Sequence, residues 1–314
     1  MIADISFVFQ GPVVDAEAAE YLQRSIAILR AQCPSSEIVV ASWRGQCGDR
    51  LTDVDRLVLL EDPGMLVTTT VWWNRFKFRN ANTKRMLHST REGLRAATRK
   101  YCVKLRTDSR VDAEKLLACL QADLQSGLAS SLFEQRVWVG DLFSRNPRRS
   151  ALLFHLSDIF LVGLRADLLG IFDKAWEWVQ TLERSGGAIP WLCPEQFLWL
   201  PTLRGDASVG LAHGFAFSPD KALRYESAVL ENIHILEAAG IGLTFSKQFG
   251  TTHEDCYRRS EIAEYAASKR RSPNFYAAAL VSESWFRNML SRVLLLNLGV
   301  KSRVLRLFKR GSQD

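Results

Sequence analysis

A chain of 314 residues with 47% hydrophobic and 24% charged residues is long enough for one large α/β domain and too apolar to be disordered. No uninterrupted apolar run approaches the about 20 residues of a membrane-spanning helix, and the first residues carry Asp4 with no cationic lead-in, which argues against a secretory signal. The net charge of +7 is concentrated: residues 261–314 hold ten Lys/Arg against four acids, so the remainder is nearly neutral and is not a globally basic nucleic-acid binder.

The first element expected is a strand over Ile5-Ser6-Phe7-Val8-Phe9, apolar enough to be buried on both faces of a parallel sheet. It stops at Gln10-Gly11-Pro12, a turn that brings bare backbone to the strand's carboxyl end. Asp15 suits the cap of the helix that follows, and Leu22, Ile26 and Leu29 mark that helix's inner face. Residues 37–42 and 56–60 read as the second and third strands, the latter closed by Glu61-Asp62-Pro63-Gly64. Residues 65–81 show no clear period and read as a loop over the sheet edge. A helix is expected from Asn82 to about Lys100, with Met86, Leu87, Leu94 and Ala97 inward.

The fourth strand organises the rest. Val103 and Leu105 keep the two-residue period, and Arg106, Thr107, Asp108 and Arg110 then arrive where the strand should end. In open α/β sheets ligands bind in the crevice beyond the carboxyl ends of the strands. A carboxylate among cations at that place suits a divalent ion holding a phosphorylated ligand, or a solvated strand end with an Arg–Asp pair. Later elements are a helix over 112–127, a strand over 136–140, a polar loop over 143–149, a strand over 159–163 after Ser157-Asp158, and a helix over 165–182. Pro194 suits the first turn of a short helix that carries Glu195. Ser218-Pro219 opens a helix to about Ala239, and 240–245 reads as the last strand. The order argues for a mostly parallel sheet flanked by helices.

Beyond 260 the pattern changes. Trp285, Phe286, Met289, Leu290, Val293 and Leu294 form one stripe; Val300, Val304, Leu307 and Phe308 form another among Lys301, Arg303, Arg306, Lys309 and Arg310. The division expected is therefore a domain over 1–260 and a helical, basic amphipathic tail over 261–314. Such a tail suits an anionic membrane surface, or a helix packed on the domain with its basic face in solvent. Its cations alternate with large aliphatics and not with stacking aromatics, which disfavours a nucleic-acid partner.

Six scattered cysteines without a Cys-x-x-Cys pair fit neither a zinc ribbon nor a disulfide framework and point to a reducing, cytoplasmic compartment. Phosphate-loop, nucleophile-elbow and His-Glu-x-x-His motifs are absent, and Gly240-x-Gly242 lacks a third glycine. What remains at strand ends is Gln10, Asp62, Arg106, Asp108 and Asp158, with Glu195 on a helix start.

The blocks Val8-Phe9-Gln10-Gly11-Pro12, Asp62-Pro63-Gly64, Asn80-x-Asn82-x-x-Arg85, Ser89-Thr90, Gly93-Leu94 and Lys104-Leu105-Arg106-Thr107-Asp108, followed by Ser157-Asp158 and Pro194-Glu195-Gln196, together resemble the WavE lipopolysaccharide-synthesis family over roughly residues 4–255. The resemblance implies a GT-A-like, Rossmann-type glycosyltransferase that moves a sugar from a nucleotide-sugar donor to a lipopolysaccharide or other surface-glycan acceptor. The basic tail is expected to rest on the inner membrane, where lipid-linked acceptors lie, which makes the protein cytoplasmic and peripherally associated with that membrane. In such enzymes an Asp-x-Asp motif binds the donor's diphosphate through Mn2+ or Mg2+; here Arg106 stands in place of the first aspartate. Asp108 is then the metal ligand, with His253 completing it or lying as a surface histidine. Gln10, Gly11, Pro12, Asp62, Asn82, Arg85 and Arg106 are the residues expected around the donor. Asn82 and Arg85 share one helical face. Removal of the acceptor proton needs a carboxylate, for which Asp158 and Glu195 are the candidates. Asp158 also suits a turn before a strand, and Glu195 a first-turn charge. His155 reads as a core residue or a support for those ligands. The incomplete aspartate motif equally allows a catalytically silent, nucleotide-sugar-binding scaffold of the same assembly.

Overall fold

The computed structural model describes residues 4–72, 75–205, 210–211, 214, 216–246 and 254–271, with positions 277 and 280. His253 and the stripes of 285–308 lie outside the described residues. The central sheet is built from β1 (Ile5–Gln10), β2 (Glu37–Trp43), β3 (Arg56–Leu60), β6 (Tyr101–Arg106), β8 (Val137–Gly140), β9 (Leu161–Leu164) and β10 (Ile233–Leu236). Its spatial order is β10-β8-β9-β6-β1-β2-β3. The strands run parallel except β9, which is antiparallel to both β6 and β8. All six residues of β1 and all seven of β2 are buried, as strands covered on both faces must be.

The alternation along β1 assigns the two faces. Ile5, Phe7 and Phe9 join the core under α1 (Ala16–Gln32) and α3 (Ala113–Gln125). Val8 joins the core under α2 (Thr83–Ala96), α4 (Arg165–Arg184), α5 (Pro194–Leu203) and α6 (Pro219–Asn232). Helix α1 starts where expected, its Asp15 carboxylate accepting from the Ala18 N–H at 2.8 Å. Gly93 lets α2 sit close on the sheet: a Cβ there would stand 2.7 Å from Val8 Cγ1 and 3.2 Å from Ala41 Cβ. That approach brings Ser89 on α2 within 2.9 Å of the Gln10 side chain.

Three elements differ from the sequence reading. Residues 65–81 are not a loop but an antiparallel hairpin, β4 (Leu66–Trp72) and β5 (Arg75–Ala81), paired from Leu66↔Ala81 to Trp72↔Arg75. Leu66 and Thr68 point inward and Val67 outward, so a polar residue at an inward position and an apolar one outside conceal the period of two. The helix opened by Ser218 stops at Asn232, seven residues short of the expected end. The Asn232 side-chain oxygen accepts from the Ser131 and Leu132 N–H groups, both at 2.8 Å, and the chain then extends into β10. Finally, 240–245 supplies only β11 (Thr244–Phe245), which pairs with β7 (Ser109–Arg110) beside the main sheet.

Helix α7 (Arg259–Arg271) crosses position 260 and is fastened to the domain. Ile262 is buried, Glu261 accepts from Arg149, Arg259 pairs with Asp123, and Lys269 pairs with Glu231. All six cysteines are free thiols. Among the described residues no helix is long and apolar enough to cross a membrane.

Candidate active site

A cleft of about 1160 Å³ opens beyond the carboxyl ends of β1, β2 and β6. Gln10, Gly11 and Pro12 line it from the end of β1, Trp43 and Arg44 from β2, and Arg106, Thr107 and Asp108 from β6. Because β9 runs antiparallel to β6, with Lys104 opposite Leu161, the residues entering β9 reach the same edge as those leaving β6. Asp158 and Ile159 come into the cleft by that route, and Pro194 and Glu195 by the start of α5. Asp62, Asn82, Arg85 and Ser89 complete the opposite side. Ten of the residues expected from the sequence thus share one cavity; the eleventh, His253, is outside the described residues.

The floor is tied together by short polar contacts. Gly11 takes φ +125, which favours glycine, and an added Cβ would stand 3.1 Å from Thr107 Oγ1. That same hydroxyl donates to the Pro12 carbonyl at 2.9 Å, and the Thr107 N–H donates to the Gln10 carbonyl at 3.1 Å. The ends of β1 and β6 are therefore held side by side.

Two guanidinium–carboxylate pairs line the cleft, one at the end of β6 and one on the opposite side. Arg106 donates Nε and Nη2 to the two oxygens of Asp108, at 2.8 and 2.7 Å. Burial works against the Arg106 charge, and the Asp108 carboxylate more than offsets it. Arg85 donates Nε to Asp62 at 2.8 Å, closes a second bond to the other Asp62 oxygen, and reaches Asn82 Oδ1 at 3.1 Å. The Arg85 bonds hold the Asp62 carboxyl below the usual carboxylate range. Both arginines are about a third exposed toward the cleft, 36% and 31% for their side chains.

The wall beside the end of β6, where β9 and α5 begin, is buried more deeply. Lys104, fully buried in mid-sheet, donates Nζ to the Asp158 carbonyl and, at 3.4 Å, to the Ile159 carbonyl. Burial lowers its pKa to about 8. The Lys104 bonds fix the backbone that presents Asp158. Glu195 lies against the same wall; burial first, and then the negative charge of Asp158, push its carboxyl up to about 8. His155, 4% exposed, sits behind Glu195 with Nε2 3.6 Å from Oε2, and its Nδ1 bonds the Phe143 carbonyl at 2.9 Å. Burial holds this imidazole down at about 4. Phe143 and Phe154, bracketing this loop, both adopt left-handed backbone, φ +65 and +55, a conformation that costs energy for bulky residues and tends to gather at functional sites.

Sequence reasoning quoted Lys104 without giving it a part. The signal was present: a lysine between Val103 and Leu105 in a buried strand must find oxygen partners or lose its charge. His155 was read as core or support, which matches its burial; nothing in the sequence placed it against Glu195, forty residues away. Trp43 and Arg44, at the end of β2, also line the cleft and carried no motif.

A Mn2+ or Mg2+ ion wants carboxylate, phosphate and water oxygens. At Asp108 both oxygens already accept from Arg106, and position 106 supplies a cation instead of a second carboxylate. The donors present there do not fit such an ion. A family model described as WavE lipopolysaccharide synthesis matches residues 5–295, which reaches beyond the expected domain end into the basic region. No protein of known function in the curated collection matches the chain.

Proposed function

Since the chain belongs to the WavE lipopolysaccharide-synthesis family, we propose that it is a nucleotide-sugar-dependent glycosyltransferase of GT-A type acting on a lipopolysaccharide or related surface-glycan acceptor. The observation that carries this reading is one cleft, at the ligand-binding edge of a parallel sheet, that gathers the Arg106–Asp108 and Arg85–Asp62 pairs with the carboxyls of Asp158 and Glu195. Arg106 and Arg85 take the donor's diphosphate, and the Gln10-Gly11-Pro12 turn lets it approach the backbone. The acceptor hydroxyl attacks the anomeric carbon and Asp158 takes its proton. The bond from that carbon to the diphosphate breaks, and the departing charge stays beside the two guanidiniums. Preorganised cations at a developing charge are worth far more in a closed cleft than in water.

The lipid-linked acceptor in this reading lies at the inner-membrane surface. The charge of residues 261–314, which hold ten of the protein's 41 Lys/Arg, supports contact with anionic headgroups there.

The test is release of nucleoside diphosphate or monophosphate from a panel of nucleotide sugars, with and without anionic vesicles. At least one donor is expected to be hydrolysed slowly without acceptor, and faster with vesicles carrying a lipid-linked glycan. Binding of the nucleotide without turnover of any donor would favour the silent scaffold instead.

A further inference from the structure

The wall behind Asp158 holds a cluster that the transfer reaction as written leaves unused. The ligand atoms of His155, Cys193 and Glu195 all lie within 4.8 Å of one another. We propose that these three side chains form a binding site for a transition-metal dication of the zinc class, with its open position toward the cleft.

Three observations carry the assignment. The first is orientation: the Nδ1 contact to the Phe143 carbonyl places the proton on Nδ1 and leaves the Nε2 lone pair directed at Glu195. A carbonyl behind one ring nitrogen is the usual support of a metal-binding imidazole. The second is spacing. Two ligands about 2.0–2.2 Å from a tetrahedral ion stand roughly 3.3–3.5 Å apart, and Nε2 and Oε2 are 3.6 Å apart with Glu195 already at the cleft surface. The third is chemistry. One imidazole, one thiolate and one carboxylate form a borderline-soft set that selects zinc-like ions over Mg2+ or Mn2+, and three protein ligands leave a fourth position for water or substrate.

The charges facing the cluster are already matched: Lys104 faces Asp158, and Arg145 is paired with Asp255. With Glu195 engaged as a ligand, Asp158 remains as the proton acceptor. The proposal does not rest on glycosyl transfer, because its probe is the metal alone.

The experiment uses the full chain, stripped with chelator and titrated with Co2+, followed by competition with Zn2+. One equivalent should bind, with tetrahedral ligand-field bands and a near-ultraviolet thiolate-to-cobalt band. Cys193→Ser should abolish the thiolate band, and His155→Gln should weaken binding by about 10–100-fold. Asp108→Asn should change neither. Substoichiometric binding at micromolar metal, or a thiolate band that survives Cys193→Ser, overturns the proposal, the latter because another of the six cysteines would be the ligand. X-ray absorption on the unsubstituted, zinc-loaded chain decides the matter even where a variant fails to fold. One sulfur with nitrogen and oxygen neighbours supports the site; a shell without sulfur removes it.

Discussion

Replacing Asp158 with asparagine is expected to lower sugar transfer by about 10²–10⁴-fold, the usual worth of a positioned proton acceptor, while affinity for nucleoside diphosphate stays unchanged. The two readouts separate because Asp158 is assigned to the acceptor hydroxyl and the diphosphate to Arg106, Arg85 and the Gln10-Gly11-Pro12 turn. Asparagine keeps the side chain's size, and the Lys104 bonds go to main-chain carbonyls that the substitution leaves in place. The wall therefore keeps its shape and loses only its base. Donor turnover and calorimetric binding on the same preparation check this. A variant that loses both would mark Asp158 as part of the cleft's architecture, and one that loses neither would remove it from the chemistry.

The second large effect concerns stability. Arg148 and Glu226 form a buried pair, 8% and 0% exposed, with Nε–Oε1 at 2.8 Å and Nη2–Oε2 at 3.2 Å, and the guanidinium lies 4.3 Å over the Tyr265 ring. Glu226→Leu removes the buried carboxylate that meets this guanidinium on two atoms. Breaking such a pair from one side costs about 3–5 kcal/mol, which for a domain of this size lowers Tm on the order of 10 °C. Arg148→Met in the same chain should recover much of the loss, since two apolar residues in place of a buried pair are often neutral or stabilising. Thermal unfolding of the two single variants and the double variant measures the coupling. Additive losses would show that the pair does not act as a unit. The pair ties the loop that carries Phe143 and His155 to α6, so the cleft's buried wall depends on it.

How much of this was legible in the sequence follows from how each element is buried. Strands β1, β2 and β6 announce themselves because burial on both faces demands near-continuous apolar residues, as in Ile5–Phe9. The hairpin β4–β5 hides because Thr68 occupies an inward position and Val67 an outward one. Strand β10 hides for the opposite reason: Val229, Leu230 and Ile233 continue a helical period across a boundary that Asn232 sets through contacts with residues 130–132. The site was legible residue by residue, since charge at the ends of apolar runs is costly unless used or solvated. Its geometry was not. The reversal of β9, which carries Asp158 to the same edge as Asp108, is a property of strand pairing that no local pattern encodes. The bidentate closure of Arg106 on Asp108 likewise depends on side-chain conformation, and it turns an expected metal ligand into half of an ion pair.

A crystal structure of the full chain with a nucleoside diphosphate bound tests the central claim most directly. The account predicts the diphosphate seated against the Gln10-Gly11-Pro12 turn with its oxygens bonded to Arg106, and the Asp158 carboxylate left open to the acceptor. A nucleotide bound away from the carboxyl edge, as in the smaller cavity of about 290 Å³ around Lys100, Asp123 and His234, would contradict it. So would a nucleotide in the cleft whose phosphates make no contact with Arg106.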